Sequence, residues 1–577
     1  MRMIFTRLRV FVAALAALAF AAGAASAEIV FNRGNSAEPE SLDPHHADTQ
    51  WESHIIGDML MGLFTEDAAS QPIYGAAESH TVSDNGLVWT FKIRDHTWSD
   101  GTPVKAGDFV FAWRREVDPA THTKYATLLY LFKNAQSINE GKMPPESLGA
   151  RAIDDKTLEL TLEHPASYLP QLLMHQTTYP LPEHALKQWG KDWVRAGHYL
   201  ANGPYMLAEW LPNDHVKLVR NPKFYDPATI QIDTVVFFPT ENTSAALRRL
   251  RAGELDIQDG ISSEDMRWIR DNMPEALHLD NYLALTYIVA NTRHKPFDDV
   301  RVRQALSLAM DRDAIVGKLM DYQELPAYSL VPPGTAGYPG GTALQYTDLA
   351  YAQRLEKARE LMVAAGYGPD NHLRVTFDHN SIPDNKRIAA ALQQMWRQIY
   401  FDIELRQSEA RTLYSVLKEH DFEIAQASWV GDYNDAQNFL FLLESENIGL
   451  NYGQWNNPDF DALMDRSANE IDAAARGVLL AQAEQLALDQ VAMIPLRFLK
   501  TRNIVQPYVK NWIANLRDIN RTRWLSIEGR ETASSAPSHG TGAGSSVAIE
   551  EKGWLESLWD WFLGLLCSWF GIACQTA

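Results

Sequence analysis

VWTFKIRDHTWSDGTPVKAGDFVFAWRR, Val88 to Arg115, opens as a strand and breaks into a turn. Val88, Trp89, Thr90, Phe91 and Ile93 are the β-branched and aromatic residues that favour a short strand. In WSDGTPV, Asp100 and Gly101 supply a positive φ and Pro103 stiffens the exit. Comparable strand runs recur as IVFNRG, TLELTL, TVVFFP, YLALTYIVAN and RVTFD. Helical patterns lie between them, over 299–320 and 348–365. The first, within PFDDVRVRQALSLAMDRDAI, reads as an Asp-capped amphipathic helix. The second spaces Leu349, Leu355, Ala358, Leu361, Met362 and Ala365 on helical intervals and stops at Gly366. Strands and helices do not alternate as a strict βαβ series. The expectation is an α/β body with mixed β-sheets in several lobes, not one doubly wound sheet.

The chain has 577 residues, enough for three or four folding units at roughly 150 residues each. Residues 1–27 carry Arg2, Arg7 and Arg9, then VFVAALAALAFAAGAA, then ASA, the pattern of a cleavable signal peptide. The apolar run is shorter than the roughly 20 residues of a membrane span. Export is therefore expected, and losing three arginines takes the formal charge from −21 to −24. Such acidity argues against a nucleic-acid partner, because that binding releases counterions through basic side chains. Cys567 and Cys574 are the chain's two cysteines, so the main body relies on packing alone.

No P-loop, G-x-G-x-x-G, G-x-S-x-G, H-E-x-x-H or C-x-x-C motif is present. A hydrolase built on paired carboxylates leaves little local signature and stays open as a rival class. His45, His46 and His54 in PHHADTQWESH read as loop residues in preference to metal ligands, and no cofactor is expected. In SWVGDYNDAQNFL, Ser428 to Leu440, the carboxylate of Asp432 follows a strand-like run; Gly, Asp and Asn there also suit an ordinary turn.

The stretch at 88–115, NTRHKPFDDVRVRQALSLAMDRDAIV (Asn291 to Val316) and GQWNNPDFDALM (Gly453 to Met464) together resemble the extracytoplasmic peptide-binding proteins of ABC importers. EPESLDPHHADT and NGPYMLAEW add to the likeness, which covers 28–528. The resemblance implies a two-lobed periplasmic binding protein fold with a hinge and an inserted domain. Lobe one would take 28–60, 183–283 and 501–530, the inserted domain 61–182, and lobe two 284–500. It implies no enzyme activity, a short peptide as ligand, an inner-membrane ABC permease as partner, and a monomer in the periplasm. In the family, the aspartate of W-x-x-D-Y-N receives the peptide's α-ammonium; here that context is Trp429, Asp432, Tyr433 and Asn434. A carboxylate in a closing cleft gains about 1.5–3 kcal/mol from such a charge-assisted bond. The preceding strand, 423–430, would offer its backbone to an extended peptide. Asp48, Gln50, Tyr125, Tyr282 and Asn380 would line the cleft.

The chain departs from the family in places. Gln426 stands where the peptide binders have an arginine for the ligand's carboxylate, Leu417 replaces another cation, and Asn385 a histidine. Arg411, Lys386, Arg387 and His420 are candidate substitutes, and solvated helix faces explain them equally well. A murein tripeptide, with branched carboxylates, is the alternative ligand. Some members carry a cysteine pair at the positions of Ala284 and Val430, which would then face one another. Past a linker over 531–551, KGWLESLWDWFLGLLCSWFGIA forms an amphipathic pattern over 552–577. That pattern suits a membrane surface, the protein's own body or self-association, and lacks basic residues for the first.

Overall fold

A strand alternation fixes the first sheet encountered in the quoted stretch. Trp89, Phe91 and Ile93 point inward and Lys92 outward along Val88–Ile93, which pairs with Ala77–Val82 and Thr157–Thr161 in a four-stranded antiparallel sheet. The following turn closes as expected: Gly101 sits at φ +96°, and Asp100 Oδ1 accepts from the Thr102 N–H at 2.8 Å. Trp98 is fully buried and donates through Nε1 to Asp108 Oδ2 at 3.2 Å, clamping the turn onto helix Ala106–Val117. This computed structural model describes residues 28–321 and 323–530; the expected signal peptide, the expected linker, the expected C-terminal amphipathic segment and both cysteines lie outside the described residues.

Two larger mixed sheets form the lobes. The first has seven strands in the order Leu277–His278, Asn503–Val505, Ile257–Gln258, Val30–Asn35, Thr234–Pro239, His215–Arg220, Tyr205–Leu211. Val30–Asn35 runs parallel to both its neighbours and the other pairs are antiparallel. The second has six: Leu325–Pro326, Ile494–Lys500, Asn281–Ala290, Ile424–Val430, Leu373–Asn380, Phe401–Ser408. One hydrophobic core serves the seven-stranded and four-stranded sheets together, a smaller core around Leu250, Ile269 and Ile504 packs on the seven-stranded sheet as well, and the six-stranded sheet is packed by two further cores.

The chain crosses between the lobes twice, and the crossings are neighbours. His278 closes one sheet and Asn281 opens the other; Lys500 closes the second and Asn503 returns to the first. Thr501 N–H donates to Asp280 O at 2.9 Å, and Asp280 N–H donates to Thr501 Oγ1 at 3.2 Å.

The helix expected over 299–320 is shorter than its periodicity suggests. Asp299 caps it as expected, accepting from Arg301 N–H at 2.9 Å, but Val300–Leu308 ends and a new turn starts at Arg312. Asp311 captures the Ala314 N–H at 3.2 Å and so begins a second helix in place of continuing the first. The buried Arg312 guanidinium then satisfies Ser307 O at 3.1 Å and Pro495 O at 2.8 Å. The other expected helix is found at Tyr351–Ala364, followed by Gly366 at φ +95°.

Candidate ligand site between the lobes

Strand Ile424–Val430 pairs along its whole length with Asn281–Ala290, but Leu373–Asn380 covers its other edge only at Ile424 and Ala425. The expected offering of this strand's backbone to a peptide is corrected at Ser428. There the Tyr414 hydroxyl donates to Ser428 O at 3.1 Å and accepts from Ser428 N–H at 3.2 Å, so both groups are already used. Ala284 and Val430 are direct cross-strand partners, the facing geometry that a cysteine pair there needs.

Past Val430 the chain leaves the sheet at Gly431, whose N–H donates to Leu283 O at 2.8 Å. A Cβ here would lie 2.6 Å from Leu283 Cδ2, so only glycine lets the loop come this close. Asn438 then fixes the next turn, its Oδ1 accepting from Trp429 Nε1 at 3.1 Å and from Asp432 N–H at 2.9 Å. Asp432 is left half-buried. Burial pushes its carboxyl up to about 6, against the opposing effects of the Asn438 hydrogen bond and the Arg517 charge.

Two phenols lie near enough to feel that carboxyl's charge. Tyr125 comes from the first lobe's side, and burial together with the Asp432 charge raises its pKa. Tyr282 comes from the crossing, raised by burial and then by the charges of Asp518 and Asp432. Its hydroxyl donates to Gln50 Oε1 at 3.4 Å, and Gln50 Nε2 reaches Asp518 O at 3.4 Å. Asp432, Tyr125, Tyr282 and Gln50 thus converge from both lobes.

The remaining predicted residues have other partners. Asp48 is exposed and paired with Lys124 at 3.0 Å. Tyr433 stacks on Tyr168, and Asn434 accepts from Ala336 N–H at 3.0 Å, so both are turned into protein. Asn380 accepts from Asn385 Nδ2 at 2.8 Å; Gln426 Nε2 and Arg497 Nη2 both donate to Asn385 Oδ1 at 2.8 Å. Arg497 also pairs with Glu324, and both are buried.

None of the four substitute cations lines the interlobe cavity described below. Arg411 lies 3.6 Å from Glu40, Arg387 2.5 Å from Asp384, His420 Nδ1 3.0 Å from Tyr452 O, and Lys386 is exposed. Sequence reasoning missed Asn438, Arg497 and Glu324; Arg497 alone gave a signal, as a charge inside the apolar strand IPLRFLK.

A cavity of about 260 Å³ lies beside Tyr282, walled by Gln50, His54, Asp259, Glu324, Lys500 and Asp518 among others. His54 faces Asp259 at 3.2 Å, while His45 lies beside Glu116 and His46 beside Asp43. Among the described residues no group of three or more such side chains could hold a metal ion, and no helix is long and apolar enough to cross a membrane.

Two lobes joined by a double crossing, with a half-buried carboxylate and two phenols meeting between them, are the architecture of an extracytoplasmic solute-binding protein. The chain belongs to the bacterial extracellular solute-binding proteins, family 5, which match it over residues 71–450. It is 36% identical over 482 residues to the periplasmic oligopeptide-binding protein OppA of Escherichia coli (strain K12), covering 83% of this chain and 88% of that one. It is 32% identical to the periplasmic murein peptide-binding protein MppA of the same strain, covering 85% of this chain and 91% of that one. Haemophilus influenzae OppA in complex with RPPGFSPFR superposes with a TM-score of 0.76 at 32% identity, covering 87% of this chain and 99% of that one.

Proposed function

We propose that this protein is the periplasmic binding component of an ABC importer, which encloses a short peptide between its lobes and delivers it to an inner-membrane permease. Residues 28–60, 183–283 and 501–530 serve as lobe one, 61–182 as the inserted domain and 284–500 as lobe two, closing by rotation about the double crossing. Asp432 takes the ligand's ammonium, with Trp429, Tyr125 and Tyr282 as walls and Gln50 as a polar contact. The observation that carries this reading is the environment of Asp432. A carboxyl held at about 6 by burial, with the neutral Asn438 as its hydrogen-bond partner, gains from an incoming cation. Nothing in this arrangement calls for turnover: the site binds.

Calorimetry with mixed di- to pentapeptides tests the proposal. Binding is expected, with Asp432→Ala weakening it at least tenfold; no binding, or an unchanged affinity in the variant, refutes it. The relationship to MppA and the glutamine at 426 together favour a second ligand in the same site, a murein tripeptide whose carboxylates lie elsewhere on the molecule. Competition between the two ligands decides which binds more tightly.

A further inference from the structure

Resting on that reading of Asp432, we infer that Lys500 receives the ligand's C-terminal carboxylate inside the interlobe cavity and thereby selects peptides of about three residues. The position usually expected to bind that carboxylate is occupied by Gln426, whose amide, with Arg497, is bound to Asn385. Lys500 is half-buried, lines the cavity and, among the described residues, has no ion-pair partner. Of the other basic groups in the lining, Arg502 lies 3.5 Å from Asp384, a carboxylate it shares with Arg387, and His54, 3.2 Å from Asp259, is biased toward its neutral form by burial.

The acids of the lining are offset. Arg33, at 3.4 Å, and His54 face Asp259, and Arg497 pairs with Glu324. Asp518 accepts from Asn503 Nδ2 at 2.7 Å, and burial pushes its carboxyl up to about 8, so it is largely neutral near pH 7. The cavity therefore presents Lys500 as a charge without an ion-pair partner among the described residues, opposite in sign to Asp432.

Strand register sets the spacing. Lys500 pairs with Asn281 on one side of strand Asn281–Ala290, while Gly431, next to Asp432, bonds to Leu283 on the other side. Two inter-strand spacings and a two-residue offset along the strand separate these flanks, about 12 Å of backbone distance. An extended tripeptide spans about 10 Å, and the side chains of Lys500 and Asp432 reach inward to meet its ends. Tyr282, between Asn281 and Leu283, would lie beneath the peptide's middle.

Calorimetry on the mature protein with trialanine, trialanine amide and hexa-alanine tests this. The wild type should bind the acid about 10- to 100-fold more tightly than the amide, and hexa-alanine should bind more weakly than trialanine. Lys500→Gln should remove the preference by lowering affinity for the acid, with an unchanged melting temperature showing that it folds. Equal binding of acid and amide by the wild type, which needs no variant, overturns the role of Lys500 and leaves the peptide reading standing. Retained preference in Lys500→Gln, or hexa-alanine binding as tightly as trialanine, also overturns the inference. Binding of neither tripeptide overturns both the inference and the reading beneath it.

Discussion

Tyr168 and Tyr433 stack ring on ring, their centroids 5.3 Å apart and their planes 6° from parallel. Tyr168 belongs to the first lobe's side and Tyr433 to the loop that follows the second lobe's strand Ile424–Val430, so the stack joins the lobes. Arg476 lies over the Tyr168 ring at 4.7 Å and is held by two bonds to Asp435, of 2.7 and 2.9 Å. Such ring and cation contacts contribute about 0.5–2 kcal/mol each. They join the two lobes in this structure.

Tyr168→Ala should therefore weaken peptide affinity by about three- to tenfold, chiefly through faster release. Stopped-flow fluorescence reads the dissociation rate; a rate equal to wild type would show that the stack does not hold the lobes shut.

The raised Asp432 carboxyl gives affinity a pH dependence. Its pKa is about 6 in the folded protein, against 3.8 ordinarily. Below about 6 the carboxyl is increasingly protonated and must ionise to pair with an ammonium, so affinity should fall by up to about tenfold per pH unit. Stability runs the other way. Between 3.8 and about 6 the folded state holds a proton that the unfolded chain has lost. This group's contribution is therefore most favourable below the unfolded value and declines as pH rises through that window. Calorimetry from pH 5 to 8 should show the affinity trend in the wild type and not in Asp432→Asn.

The buried Arg497–Glu324 pair is expected to punish removal of either partner. Glu324→Gln leaves a buried guanidinium without its counter-charge and should cost about 3–5 kcal/mol in urea unfolding. Replacing both together with apolar residues of similar size should cost much less than the single change. A loss below about 1 kcal/mol in the single variant would mean that water compensates Arg497.

Gly431→Ala forces a methyl group against Leu283, and overpacking of this kind costs about 1–3 kcal/mol. The same clash pushes the Asp432 loop away from the strand, so affinity should fall along with the melting temperature. Leu283→Ala in the same chain should recover part of the affinity; if it recovers none, the close approach is not what Gly431 provides.

The local parts of this architecture were legible in the residues. The WSDGTPV turn, the alternation at Trp89, Phe91 and Ile93, and the cap at Asp299 depend on neighbours a few positions away. The helix over 299–320 read too long because a 3.6-residue period does not register the competing cap at Asp311, and because Arg312 reaches the distant Pro495. At the site, the context around Asp432 stood out through its resemblance to a family. The roles of Asn438 and Arg497 did not: each is defined by what folding brings to it, and Arg497 lies 112 positions from Asn385. Tyr433 and Asn434 show the converse, since a shared motif does not reveal which of its side chains turn inward.

The side-by-side crossings at Asp280 and Thr501 govern more than connectivity. Tied rung to rung, they are expected to bend as a single leaf, suppressing sliding and twisting between the halves and leaving swinging as the soft coordinate. Guests of different shape would then all produce one outward posture, and a membrane partner could recognise occupancy without sensing what is carried.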